Sequence, residues 1–257
     1  MYWQDRMSKA QDNLTKKSVE QTEKQIKKYY QKTMEDVITS FEKTYNHILL
    51  SVKAGREPTP ADLYKLDTYW KMQAQLKNEL QKLGDKQVAE LSKRFITQYE
   101  DIYKSIALEG ESFFYTIDKK QVAEMINQVW AADGVSWSQR VWNNTSKLQQ
   151  ELNDGLISCL VAGKKTSELK KVLQERFNVS YSRADSLVRT EMAHIQTQAA
   201  QKRYLDAGIT EVQVWASPDE RRCEICGKLH KMKYPAGGKM PIPAHPRCRC
   251  TILPVVE

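Results

Sequence analysis

From Ser18 to Val52 the chain places Ile26, Tyr30, Met34, Val37, Phe41, Tyr45, Ile48 and Val52 at intervals of 4, 4, 3, 4, 4, 3 and 4. The stripe repeats every 11 residues, close to 3.67 per turn, and predicts a nearly straight helix or one with slight right-handed coiling. A coiled-coil seam would repeat at seven instead. At ~1.5 Å per residue the helix spans roughly 50 Å, so it either packs against other helices or reaches out to a partner. Ala54-Gly55 stops it, and Pro58-Thr59-Pro60 turns the chain, with Thr59 as N-cap and Pro60 at N1. A second helix follows through Leu63, Leu66, Tyr69, Leu76 and Leu80 to Gly84. A third runs from Asp85 to about Leu108. Three antiparallel helices joined by short turns are the economical arrangement. Tyr2 and Trp3, on an end with nothing local to bury them, are expected to dock back on the bundle or to touch a partner.

Beyond Glu109-Gly110 the pattern changes. Ser112–Ile117 reads as a short strand or the lead-in to a helix, and Asp118 caps a helix from Lys119 to Trp130. Ser136 opens another through Trp137, Trp142 and Leu148; Leu152, Leu156 and Leu160 continue it, although Asn153-Asp154-Gly155 weakens a single helix. Trp130, Trp137 and Trp142 are the expected anchor between the helical half and the rest. Thr166 or Ser167 caps a short helix to Phe177, and a further helix spans about Ser182 to Asp206, closed by Ala207-Gly208. Thr210–Ala216 alternates with period two and is the best strand; Thr251–Leu253 is a second, directly after Cys250. The expected fold is therefore predominantly α. Residues 1–110 form a helical arm or bundle, and residues 111–257 an α+β module with a small antiparallel sheet and a cysteine-rich loop.

Composition narrows the function classes. Charged residues are 28% of the 257 and apolar ones 40%, enough for a core beneath a strongly solvated helical exterior. No run of 18 apolar residues offers a membrane span, and the N-terminus has no signal-peptide core. Folding in a reducing cytosol follows, where clustered cysteines favour metal or free thiols over bridges. The net charge of +8 suits an acidic partner such as DNA, although acids lie beside most of the bases.

Four of the five cysteines fall in Trp215–Cys250, as Cys223-x-x-Cys226 and Cys248-x-Cys250, with His230 and His245 between them. Zinc takes four thiolate or imidazole ligands in a tetrahedron. A segment broken by Pro235, Pro241, Pro243 and Pro246 buries little, so it needs a staple. One reading is a structural Zn2+ knuckle on Cys223, Cys226 and two of His230, His245, Cys248 and Cys250. The others are reduced thiols without metal, or a disulfide-built loop. The fourth ligand stays open, because the spacing is not a perfect zinc-finger match. Pairing of the two strands would bring both clusters to adjoining strand ends. Arg221, Arg222, Lys228, Lys231, Lys233, Lys239, Arg247 and Arg249 surround the cysteines and suit non-specific contact with double-stranded DNA. Gly163-Lys164-Lys165-Thr166 lacks the first glycine of a phosphate loop. Glu224 and Asp219 stand in no zinc-hydrolase pattern, so catalysis is not expected, a metal-dependent nuclease being the enzymatic alternative.

Trp215, Asp219, Arg222-Cys223, Cys226 and His245-Pro246-x-Cys248-Arg249-Cys250, with Arg189-Thr190-Glu191 upstream, resemble the C-terminal signature of the Mu F-like, or SPP1 gene-7-like, phage minor head proteins. The resemblance covers about Ser146 to Pro254. It implies a minor head protein that associates with the portal during procapsid assembly, with major capsid or scaffold protein as further partners. It also implies residence in the virion interior after assembly in the host cytoplasm, and a link to DNA packaging or delivery. It carries Arg189, Glu191, Trp215, Asp219, Arg222, Pro246 and Arg249 as pattern positions, marking a fold more firmly than an active centre. Arg189 and Glu191 point apart at i and i+2; at least one is expected to fasten its helix, through a buried ion pair, to the Trp215 strand or the cysteine loop.

Overall fold

The computed structural model describes residues 3–52, 59–107, 117–216 and 222–255. The expected helix stop at Ala54-Gly55, Pro58, the apolar piece 112–116, Tyr2, Asp219 and Arg221 lie outside them. The structure is predominantly helical, with long N-terminal helices and a small three-stranded antiparallel sheet near the C-terminus.

Helix α1 spans Trp3–Val52, beginning well before Ser18. The reason is visible in its inward positions: Ser8, Gln11, the half-buried Thr15, Val19, Thr22, Ile26, Tyr30, Thr33, Val37, Phe41, Tyr45 and Ile48 form one stripe of threes and fours. Its first part is polar, and those side chains are satisfied. Thr15 donates to Gln196 Oε1 at 2.6 Å, and Gln98 donates to Thr15 at 2.7 Å. Trp3 is the first helical residue and is half-buried.

Thr59 caps the one-turn helix α2, Pro60–Leu63, its N–H donating to Asp62 at 2.9 Å. Helix α3 then runs unbroken from Asp67 to Ser105, so the expected division at Gly84 does not occur. Gly84 serves close packing: a Cβ there would lie 2.3 Å from Cζ3 of Trp142. Asp118 caps α4, Lys119–Ile126, accepting from the N–H groups of Lys120 and Gln121; the helix stops four residues short of Trp130. Helix α5, Trp137–Val161, passes straight through Asn153-Asp154-Gly155. There a Gly155 Cβ would meet Val172 Cγ1 at 2.7 Å. Helix α6 is one element from Thr166 to Asp206, where two helices were expected. Ser180, inside the expected break, is wholly buried; its hydroxyl meets Tyr30 Oη at 3.2 Å, while Asn144 donates to both Tyr30 Oη and the Ser180 carbonyl.

The chain forms two compact units. One comprises Met1–Glu23, Glu90–Trp137 and Asp185–Glu257, the other Lys24–Ala89 and Ser138–Ala184. Each draws on residues from both sides of position 110. The second unit is a helical core knit by the Tyr30 cluster, by Tyr45 donating to the Lys164 carbonyl and by an Arg183–Glu151 ion pair at 2.9 Å. In the first, Trp137 meets Phe95 edge-on at 5.3 Å.

A Schellman turn closes α6. Gly208, at φ 74°, donates to the Leu205 carbonyl and Ile209 donates to that of Tyr204. The chain then enters β1, Glu211–Trp215, the central strand of the sheet β2-β1-β3. The expected partner, β3 at Thr251–Pro254, pairs antiparallel with Trp215 opposite Thr251. The third strand, β2 at Lys233–Pro235, pairs on the other edge. Three residues ending in proline carry no readable alternation. Val212, Val214 and Ile252 are fully buried on one face of the sheet and Leu253 on the other.

Candidate functional site

Strand pairing brings the cysteine segments together. Helix α7, Glu224–Leu229, is capped by Cys223, whose Sγ accepts from the Cys226 N–H at 3.3 Å. One helical turn therefore sets both sulfurs side by side. His245 Nε2 lies 3.2 Å from each of them, and Cys226 Sγ lies 3.7 Å from Cys248 Sγ. Cys223, Cys226 and His245 form one group whose donor atoms all fall within 4.8 Å; Cys226, Cys248 and Cys250 form another. Cys226 is common to both. Cys248 and Cys250 both reach Cys226 from the segment just ahead of β3, which Arg247, at φ 62°, bends toward the cluster.

The donor set fits a tetrahedral thiophilic ion. Sulfurs bound to zinc at ~2.3 Å stand roughly 3.8 Å apart, close to the Cys226–Cys248 separation. The histidine is also in the right tautomer. His245 Nδ1 faces the Pro246 carbonyl at 2.8 Å and must donate to it, which leaves the Nε2 lone pair toward the sulfurs. His230 sits elsewhere: its Nδ1 accepts from the Ala216 N–H at 3.2 Å and its ring meets Trp215 edge-on. It props the end of β1.

The thiols are electrostatically unequal. The Cys226 N–H holds the Cys223 thiol below its usual range, with His245 adding to the effect against burial. A hydrogen bond from Cys250 brings Cys248 down to about 5, against burial. Burial pushes Cys226 up to about 12, while the hydrogen bond to Cys248, then burial, push Cys250 up. Burial lowers His245, but the Pro246 carbonyl and the neighbouring Cys248 and Cys223 outweigh it and raise it overall. Burial lowers His230.

The basic residues are less free than the sequence suggests. Lys228 pairs with Glu224, Lys233 with Glu211 at 3.0 Å and Arg247 with Asp185 at 2.7 Å; Lys231 lies over the Trp215 ring at 5.6 Å. Arg222 and Arg249 are exposed. Lys239 lines a cleft of about 660 Å3 with Tyr99, Tyr103, Gln198 and Lys202, away from the cysteines. Arg189 pairs with Glu23 at 2.6 Å and with Asp185 at 3.4 Å. Glu191, 3% exposed, accepts from Trp130 Nε1 at 2.9 Å, and Trp130 stacks on His194. The residues of α6 that reach the cysteine loop are thus Thr190, the middle residue of the motif, and Asp185, which lies outside it. Gln201 also went unread; its amide donates to the Ala236 and Gly238 carbonyls and pins the loop after β2.

A small sheet and a thiol–imidazole cluster follow the C-terminal end of a 41-residue helix. Residues 150–253 match the family model for Phage Mu protein F like protein, the family that the cysteine motif resembles. The match covers under half of the chain and includes all of α6, the cluster and the sheet except Pro254. No curated protein and no solved structure matches the chain.

Proposed function

We propose that this chain is a minor head protein of a tailed phage or prophage. It binds the portal or the procapsid interior, beside major capsid and scaffold proteins, and assists head assembly, DNA packaging or DNA delivery. The observation that carries this reading is the family match over residues 150–253, which takes in the whole cysteine cluster and the helix that leads to it. Residues 1–110 are assigned the portal or head contact and 111–257 the stapled module. The protein works in the host cytoplasm during assembly and in the virion interior afterwards. Among the described residues no helix is long and apolar enough to cross a membrane.

The cluster is read as a structural zinc site built on Cys223, Cys226, His245, Cys248 and Cys250. Zinc supplies crosslinking there, and the donors themselves close the coordination shell. The Glu224 carboxylate is 83% exposed and already paired with Lys228. The alternative of non-specific DNA binding is weakened by the acids that already neutralise Lys228, Lys233 and Arg247.

Co-expression with portal and scaffold proteins, followed by purification of procapsids, tests the assignment. The chain is expected in the particles in few copies, with one zinc per isolated chain. Procapsids that assemble and package normally without it would overturn the head role. DNA hydrolysis lost in Cys223→Ala would favour the nuclease instead.

A further inference from the structure

The loop carrying His245, Cys248 and Cys250 touches helix α1 by two separate routes. Arg247 lies between His245 and Cys248 with a left-handed backbone. Its N–H donates to Thr190 Oγ1 at 3.1 Å and its guanidinium to Asp185 at 2.7 Å. Asp185 is paired in turn with Arg189, and Arg189 with Glu23 of α1. The second route starts at Thr251, the residue after Cys250, whose hydroxyl donates to Gln11 Oε1; the Gln11 amide donates to Tyr204 Oη at 3.3 Å. Gln11 and Glu23 stand ~18 Å apart along the helix. The cysteine loop therefore grips α1 at two points, both inside the first compact unit.

These grips depend on where the loop is held. Gln11 and Thr251 are 1% and 2% exposed, and the Glu23 and Asp185 side chains 14% each. A buried polar partner that moves away leaves the other unsatisfied, which costs more than the bond itself contributes. Arginine holds a left-handed backbone only where its surroundings enforce it. Both contact residues adjoin members of the cluster, so whatever fixes the thiols fixes Arg247 and adds to the hold that pairing with Trp215 already has on Thr251.

We propose that loading the cysteine cluster with one thiophilic divalent cation fastens residues 8–23 of α1 to the C-terminal module, so that metal state governs whether this part of the helix stays docked. The inference rests on the zinc reading above. Metal removal releases residues 245–251, and the Arg247–Asp185–Arg189–Glu23 relay and the Thr251–Gln11 bond lose their fixed partners together. The Thr15–Gln196 and Ser18–Met192 contacts do not touch the loop and remain. The helix segment then opens more often without unfolding.

Hydrogen exchange on the full chain, zinc-loaded and after chelation, with zinc counted in parallel, reads this directly. Chelation is expected to raise amide exchange about tenfold within residues 8–23 and 245–251, with α5 residues 138–161 unchanged as reference. Arg247→Ala is expected to keep its zinc, yet to exchange faster near Glu23 while loaded, with little further change on chelation. Asp185→Asn provides the same reading if that variant does not fold. One zinc per chain with exchange in 8–23 indifferent to chelation would overturn the coupling and leave the zinc site standing. A chain that takes up no zinc from excess would overturn both.

Discussion

Glu23 and Asp185 bring two carboxyl groups together, with Arg189 and Arg247 as counter-charges. Burial pushes the Glu23 carboxyl up to about 7; the hydrogen bond and charge of Asp185 act in the same direction, and the two arginines oppose them. The unfolded chain loses this proton near its ordinary value of 4.5, whereas the folded chain keeps it to about 7. The resulting stabilisation is complete below the unfolded value and is lost as pH rises through the folded one. Glu23 is partly solvated, so screening reduces the effect to on the order of 1 kcal/mol. Glu23→Gln keeps a donor for Asp185 and cannot ionise. Relative to the parent it is expected to gain about 1 kcal/mol between pH 5 and pH 8, measured by urea unfolding at each pH. A difference that stays flat across that window would show that no proton is held between the two carboxyls.

At the scale of elements, the long helices override local breaking signals wherever a glycine or small polar residue packs. Gly84 is the clearest case. Alanine would raise helix propensity there by about 1 kcal/mol, but its Cβ would stand 2.3 Å from the Trp142 ring. Overpacking of that kind costs about 1–3 kcal/mol or more. Gly84→Ala is therefore expected to lose roughly 1–2 kcal/mol net, read from the urea midpoint; a gain would mean that Trp142 moves aside freely. The same logic explains what the sequence showed and what it hid. The 11-residue repeat of α1 was legible from Ile26 to Ile48 because apolar side chains carry it there. It was hidden from Ser8 to Thr22 because serine, glutamine and threonine fill most of the same stripe, Gln11 and Thr15 bonded to side chains far along the chain and Thr22 to the Ser18 carbonyl. Asn178-Val179-Ser180 read as a break because Ser180's partner, Tyr30, is 150 residues away. Strand β1 was legible by alternation and β3 as a short candidate directly after Cys250, while their pairing stood as the condition for bringing both cysteine clusters together.

For the whole molecule, the question is what a few thiols do in a protein that is otherwise mostly helix. The cluster's membership was only partly legible. Spacing offered His230 and His245 equally, and only the paired strands separate them, setting His230 against Trp215 and His245 against two sulfurs. Cys226 belongs to both donor groups and is 3% exposed, so it is the member that a single ion could least do without. Cys226→Ser keeps nearly the same volume and removes a soft ligand. It is expected to take zinc from one per chain to none and to lower the melting temperature by several degrees, since each kcal/mol lost in a chain of this size lowers it by roughly 2–4 °C. His230→Ala should retain the zinc, because its imidazole only accepts from Ala216 and packs on Trp215; any loss of stability should come without loss of metal. Metal analysis beside calorimetry separates the two. Zinc retained in Cys226→Ser, or lost in His230→Ala, would mean that the ligands are other than those the fold brings together.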